Sequence, residues 1–198
     1  MRRAPFVVVE GLDGVGKSTV ASELARRLGA DLMASPPDRV AEARRILESV
    51  YDGDALARML WYASTNAAVS TDVGEALRVG RAVVLARYFL STLVYAGVRG
   101  ATCGLEELGR HLVIPDVTVY LHARHEVRAG RMGGRGGNGD EDARSLAPDW
   151  ERALDAGYRS CASHPLAGRF LPLDVSDIGS DEATDRIMLA LEAVRAGR

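Results

Sequence analysis

Short apolar runs alternate with longer amphipathic stretches along the whole chain. That is the pattern of strands joined by crossover helices around a parallel sheet. The runs predict strands at 6–10, 31–34, 82–86, 117–122 and 169–173. Between them the helical period predicts helices over about 17–28, 38–51, 55–79, 89–94, 105–112, 126–132, 148–162 and 181–196. Val83-Val84-Leu85 and Val117-Thr118-Val119-Tyr120-Leu121 are rich in β-branched residues with little polar alternation. Strands covered on both faces look like this, so these two are expected to be central. With 198 residues and no internal repeat, the chain is read as one α/β domain over 1–198.

Between the first strand and the first helix lies Gly11-Leu12-Asp13-Gly14-Val15-Gly16-Lys17-Ser18, a glycine, four residues and then Gly-Lys-Ser. Strand, loop and helix in this order are the context in which the string is a phosphate cradle and not a chance match. Glycines let backbone N–H groups turn inward around a β-phosphate, and the helix start adds its partial positive charge there. Gly11, Gly14, Val15, Gly16, Lys17, Ser18 and Thr19 are therefore expected to hold a nucleoside triphosphate. Lys17 is expected to bridge the β- and γ-phosphates, and Ser18 to offer its hydroxyl to Mg²⁺. Composition sharpens this expectation, because Lys17 is the single lysine among 25 Lys plus Arg residues. A chain that uses Arg at every other basic position keeps Lys where a compact ammonium fits between phosphates. ATP and Mg²⁺ are the expected cofactors.

Charge narrows the partners. A formal net charge of −2 gives no global basic field to hold a polynucleotide. No segment approaches the ~20 apolar residues of a membrane span, and the apolar run after the amino terminus is too short for a signal peptide. Cys103 and Cys161 lie far apart and outside any metal-ligand spacing, which suits reduced thiols in the cytoplasm. A switch GTPase is disfavoured: with one lysine there is no Asn-Lys-x-Asp motif, and the predicted strands end at Ala86 and His122 instead of an Asp. The Gly-rich stretch 130–139 is either a surface linker or part of a lid over about 130–146, in which Arg131 and Arg135 swing onto phosphates. Its arginines, in a chain with a phosphate cradle, favour the lid.

Beyond the cradle the sequence resembles the thymidylate kinase family, from Phe6 to about Leu191. The resemblance is carried by Phe6-Val7-Val8-Val9-Glu10 leading into the cradle, by Leu60-Trp61-Tyr62-Ala63, and by Arg87-Tyr88 followed by Ser91 and Tyr95-Ala96-Gly97. Pro115-Asp116 before the fourth strand and Gly157-Tyr158 complete it. It implies a P-loop NTPase fold, a five-stranded parallel sheet with helices on both faces and a flexible Gly/Arg lid. It also implies an ATP- and Mg-dependent phosphotransferase acting on a nucleoside monophosphate such as dTMP, and a homodimer. The predicted helix 55–79, with Leu56, Met59, Leu60 and Tyr62, serves either a dimer seam or the core.

The resemblance also assigns roles. Asp13 corresponds to a carboxylate near the acceptor sugar hydroxyl, or is a solvated turn residue. Tyr62 corresponds to a ring stacked on the acceptor base, or is a core tyrosine. Arg87, just past a buried strand, corresponds to the arginine gripping the acceptor phosphate and the transferring group, and a strand's carboxyl end is where ligands sit in such folds. Tyr95 corresponds to a residue beside the sugar 2′ position, Thr92 to one that reads the base edge, and Arg45 is either a phosphate ligand or a solvated residue. Lys17, Asp13, Arg87, Arg131 and Arg135 form the expected catalytic set.

Departures from the family pattern fall on the acceptor side. Ser35-Pro36-Pro37-Asp38 replaces Arg-Glu-Pro-Gly, with Arg39 as a candidate substitute. Thr65-Asn66 replaces an Asp-Arg pair, and Ala86 replaces the Asp before the strand-end arginine, leaving Asp13 or Glu10 as the available carboxylate. These losses fit an acceptor with less negative charge, so a same-fold kinase of a nucleoside or other small hydroxylated acceptor stands as an alternative. A nucleotide-binding protein with weak catalysis is the third reading.

Overall fold

The computed structural model describes residues 3–101, 104–134 and 140–197. Its centre is β1, Phe6–Gly11, whose six residues are all buried. Parallel strands flank β1 on both sides, giving the order β2-β3-β1-β4-β5 with β2 Asp31–Ala34, β3 Val83–Ala86, β4 Val117–His122 and β5 Arg169–Asp174. Val9 lies across from Ala86 on one side and Val119 on the other. β3 and β4 are thus interior strands, as their unbroken apolar character predicts.

Both faces are covered. Val7, Val9, Val84, Val119 and Leu121 share a core with Leu24 of α1 (Lys17–Leu28) and with Ile187 and Leu191 of α9 (Ser180–Ala196). The alternate residues Phe6, Val8 and Leu85 pack with Met59, Val69 and Val73 of α3 (Ala55–Arg78) and with Phe89 at the start of α4 (Phe89–Val98). α8, Pro148–Ser160, adds Tyr158, whose ring stacks on Tyr120 with centroids 4.8 Å apart. Asp54 begins α3 by accepting from the Ala57 amide at 2.9 Å, a side-chain cap. The sheet, the crossovers and the cradle at the end of β1 are those of the P-loop NTPase fold.

Several elements differ from their predicted extents. The predicted helix 38–51 divides into a 3₁₀ turn, Asp38–Val40, and α2, Ala41–Val50, because Val40 departs from helical dihedrals. The helix predicted over 89–94 runs on to Val98, and that over 105–112 shrinks to the short α5, Glu106–Gly109. In the Gly-rich stretch, α6 (His125–Gly133) continues through Gly130, so the first part of the predicted mobile segment is the last turn of a packed helix. A further helix, α7 (Asp140–Ser145), follows where none was predicted. Among the described residues no helix is long and apolar enough to cross a membrane.

Candidate active site

All five strands point the same way, so the chain leaves β1, β2 and β3 on a common edge of the sheet. Such carboxyl edges hold the ligands of open α/β folds. β1 runs into the cradle there. Gly16 has φ 94°, a left-handed conformation that glycine adopts without cost, and α1 starts at the next residue. The first-turn amides of α1 therefore face the cradle, with Ser18 and Thr19 exposed on that turn. Lys17 Nζ donates to Leu12 O at 2.6 Å and lies 3.4 Å from Asp13 Oδ1. Burial, reinforced by the like charge of Arg87, pushes the Lys17 ammonium down to about 7 against the pull of Asp13. A depressed ammonium among inward-turned amides suits a polyphosphate, which supplies the missing negative charge. The donor set thus fits a nucleoside triphosphate, with the Ser18 hydroxyl placed as an oxygen ligand for Mg²⁺.

Arg87 meets the cradle from the other side. Its backbone amide bonds Val9 O at 3.0 Å, completing the ladder, yet its φ is 63°, which is costly for a side chain with a Cβ. The guanidinium forms an ion pair with Asp13, approaches Ser91 Oγ at 3.4 Å and lies over the Tyr95 ring at 5.6 Å. Beneath it Glu10 is fully buried and accepts from the amides of Tyr88 and Ser91 at 2.9 and 3.1 Å and from the Ser91 hydroxyl. Glu10 is therefore occupied in holding the first turn of α4, and burial raises its pKa. Asp13, which lines the pocket together with Glu48, is at once a partner of Arg87, Lys17 and Ser145. Burial raises its pKa, but the charges of Arg87 and Lys17 outweigh this and hold it well below the usual carboxylate range.

A cavity of about 300 Å³ opens next to Asp13 and Arg87. Tyr62, Thr92 and Tyr95 line it, and among the described residues the buried Tyr95 hydroxyl has no hydrogen-bond partner. Burial and a hydrogen bond to Glu48 push Tyr62 up to about 12. Thr92 belongs to a buried chain: Ser35 Oγ donates to Asn66 Oδ1 at 2.8 Å, and Asn66 Nδ2 donates to Thr92 Oγ1 at 2.7 Å. Asn66 thus stands behind the pocket wall, and its contact with the cavity is made through Ser35 and Thr92.

Other expected residues sit elsewhere. Arg45 is exposed on α2 and does not line the cavity; its neighbour Arg44 does, paired with Glu48 at 3.0 Å. Arg39 is bound to Asp72 at 2.7 Å on the surface. Arg131 donates to Val15 O at 3.2 Å and Val175 O at 3.0 Å, so it is tied to the cradle's own backbone. Arg135 lies outside the described residues, as does Cys103.

Sequence reading missed the arginines that do line the cavity besides Arg87, namely Arg44, Arg58, Arg99 and Arg144, together with Trp150. Only Arg44 left a signal, since Arg44 and Glu48 are spaced i,i+4 and so share a helix face. The rest converge from α3, α4 and the α7–α8 corner through tertiary packing.

A glycine-rich loop of the cradle pattern at the end of a central parallel strand, beside a cavity lined by several arginines, is the arrangement of a P-loop nucleotide kinase. The sequence pattern of the family described as thymidylate kinase matches residues 9–149. The chain is 33% identical over 147 residues to a probable thymidylate kinase of Thermococcus onnurineus, covering 66% of this chain and 72% of that protein. A probable thymidylate kinase of Thermococcus gammatolerans matches equally, at 33% over 147 residues, with 66% and 71% covered. Among solved structures, thymidylate kinase from Candida albicans superposes with a TM-score of 0.73 at 21% identity, covering 98% of this chain and 93% of that one. Thymidylate kinase from Ehrlichia chaffeensis gives 0.73 at 19%, covering 96% and 99%. The chain belongs to the thymidylate kinase family and is a nucleotide kinase, a phosphotransferase.

Proposed function

We propose that the chain transfers the γ-phosphoryl group of ATP to the phosphate of a pyrimidine nucleoside monophosphate such as dTMP. The observation that carries this reading is the charge of the acceptor cavity. Among the described residues five arginines line it, Arg44, Arg58, Arg87, Arg99 and Arg144, against two carboxylates, Asp13 and Glu48. The arginines absent from the family's usual positions are thus replaced from other helices, and an anionic acceptor remains the better electrostatic match. This favours a monophosphate over the uncharged acceptor suggested by Ser35 and Asn66.

Positioning and charge stabilisation carry nearly all of phosphoryl transfer. Lys17 and the α1 amides hold the donor phosphates, and Ser18 is placed to ligate Mg²⁺. Bound there, the ion neutralises charge that develops on the phosphate oxygens. Arg87 spans the gap between donor and acceptor, and Asp13 orients both it and the acceptor. A phosphate oxygen is already a nucleophile, so no side chain is needed to remove a proton. At the far end Thr92 Oγ1 accepts from Asn66, which leaves the Thr92 proton for a carbonyl oxygen of a pyrimidine base.

Family membership supports reading the chain as a cytoplasmic homodimer, and Leu56 and Leu60 of α3 are exposed apolar side chains that a partner copy would cover. The activity is tested by ADP formation from Mg-ATP across nucleoside monophosphates, free nucleosides and amino sugars. Turnover with dTMP or dUMP is expected. Turnover with uncharged acceptors alone overturns the reading, and silence throughout favours a binding protein.

A further inference from the structure

Arg128 of α6 is among the largest side chains buried in the fold, at 1% exposure. A guanidinium is removed from water at such a cost that its partners must repay it. Two of those partners, Asp13 and Ser145, line the active-site cavity. Nε donates to the backbone carbonyl of Asp13 at 2.7 Å, Nη2 donates to the carbonyl of Ser145 at 3.0 Å, and Nη1 lies 2.8 Å from Glu151 Oε1 on α8. Ser145 in turn donates its hydroxyl to Asp13 Oδ2 at 3.0 Å. Asp13 is therefore gripped twice, at its main chain by Arg128 and at its carboxylate by the residue whose carbonyl Arg128 also holds. The packing leaves no slack, since a Cβ on Gly14 would meet Arg128 O at 2.8 Å and Met132 Cγ at 2.9 Å.

We propose that Arg128 and Ser145 are positioning residues for transfer, a strut from α6 and the α7–α8 corner that fixes Asp13 in the orientation that meets Arg87. The inference rests on the function proposed above, in which Asp13 orients the acceptor. The Asp13 side chain is 43% exposed, and a carboxylate that open would otherwise sample several rotamers. With partners on the cradle, β3 and the α7–α8 corner it has one. An Arg is needed because its planar fork reaches Asp13, Ser145 and Glu151 at once, which a lysine ammonium does not.

The test compares wild type with Ser145→Ala and Arg128→Lys, measuring kcat, KM for dTMP, KM for ATP and melting temperature. Ser145→Ala is expected to lower kcat about 10-fold and leave KM for ATP within about 2-fold, with melting unchanged. Arg128→Lys is expected to lower kcat about 100-fold while a fluorescent ATP analogue still binds within about 3-fold of wild type. If wild type transfers phosphate and Ser145→Ala keeps full kcat, the strut is overturned and the function stands. Loss of ATP binding or of melting temperature in Arg128→Lys with kcat intact also overturns it, because the role is then structural. A wild type that transfers to no acceptor overturns the function and the strut together.

Discussion

Asp13 and Arg87, 74 residues apart in the chain, form an ion pair that joins the phosphate cradle to the end of β3. The pair ties the donor side of the site to the acceptor side, and Arg87 makes it from a left-handed backbone at φ 63°. Arg87→Ala removes the cation and retains the backbone strain; Arg87→Gly removes both. Both variants are expected to lose about a thousandfold in kcat/KM, while Arg87→Gly unfolds at higher temperature than Arg87→Ala by roughly 1 kcal/mol of stability. Steady-state kinetics and thermal melts check this. Activity retained in either variant contradicts the role of Arg87.

Lys17 predicts a proton linkage. Its pKa is pushed down to about 7 by burial and Arg87, and phosphate oxygens favour the charged ammonium, so binding raises that pKa again. Near pH 6 the ammonium is already protonated and binding takes up little. Near pH 8 the free protein is mostly neutral at Lys17, so Mg-ATP binding takes up close to one proton and affinity falls as pH rises. Calorimetry in buffers of different ionisation enthalpy reads the uptake directly. Lys17→Ala is expected to abolish both uptake and turnover, and equal uptake in the variant contradicts the assignment.

The arginines around the cavity predict selectivity by charge. Arg144→Ala and Arg44→Ala are each expected to raise KM for dTMP about 5- to 10-fold and to leave KM for ATP near wild type. Rising salt is expected to weaken dTMP binding less in these variants than in wild type. A change confined to ATP would place those side chains on the donor side.

Thr92 predicts selectivity by hydrogen bonding. Thr92→Val keeps the shape of the wall, removes the proton aimed at the base and leaves Asn66 Nδ2 without its acceptor. KM for dTMP is expected to rise about 10-fold, with a melting loss worth about 1–3 kcal/mol from the unpaired amide. Unchanged KM with lowered stability would make the Ser35–Asn66–Thr92 chain structural only.

The sheet was legible because its signals are local. Val7-Val8-Val9 and Val117 through Leu121 carry the apolar character of buried strands, and the cradle string announces its own strand, loop and helix. Arg87 was legible too, since it directly follows a strand end. Arg58, Arg99, Arg128 and Arg144 were not, because an arginine in a helix reads as solvated until the packing of other helices shows what it faces. For Arg131 the glycine-rich neighbourhood suggests a free lid cation, and the structure differs in how it is held: the last turn of α6 delivers it to Val15 O and Val175 O, beside the cradle. The Asn66 position, read from sequence as lost positive charge, lies behind the wall and leaves the charge of the cavity to residues distant in sequence.

The most direct measurement is phosphorus NMR of two separate reactions, wild type with Mg-ATP and dTMP, and wild type with Mg-ATP and thymidine. Loss of the dTMP monoester resonance in the first, with no monoester formed and no ATP consumed in the second, is the expected result. A new phosphomonoester resonance in the thymidine reaction, with the dTMP resonance unchanged in the other, would contradict the claim that the cavity receives a phosphate.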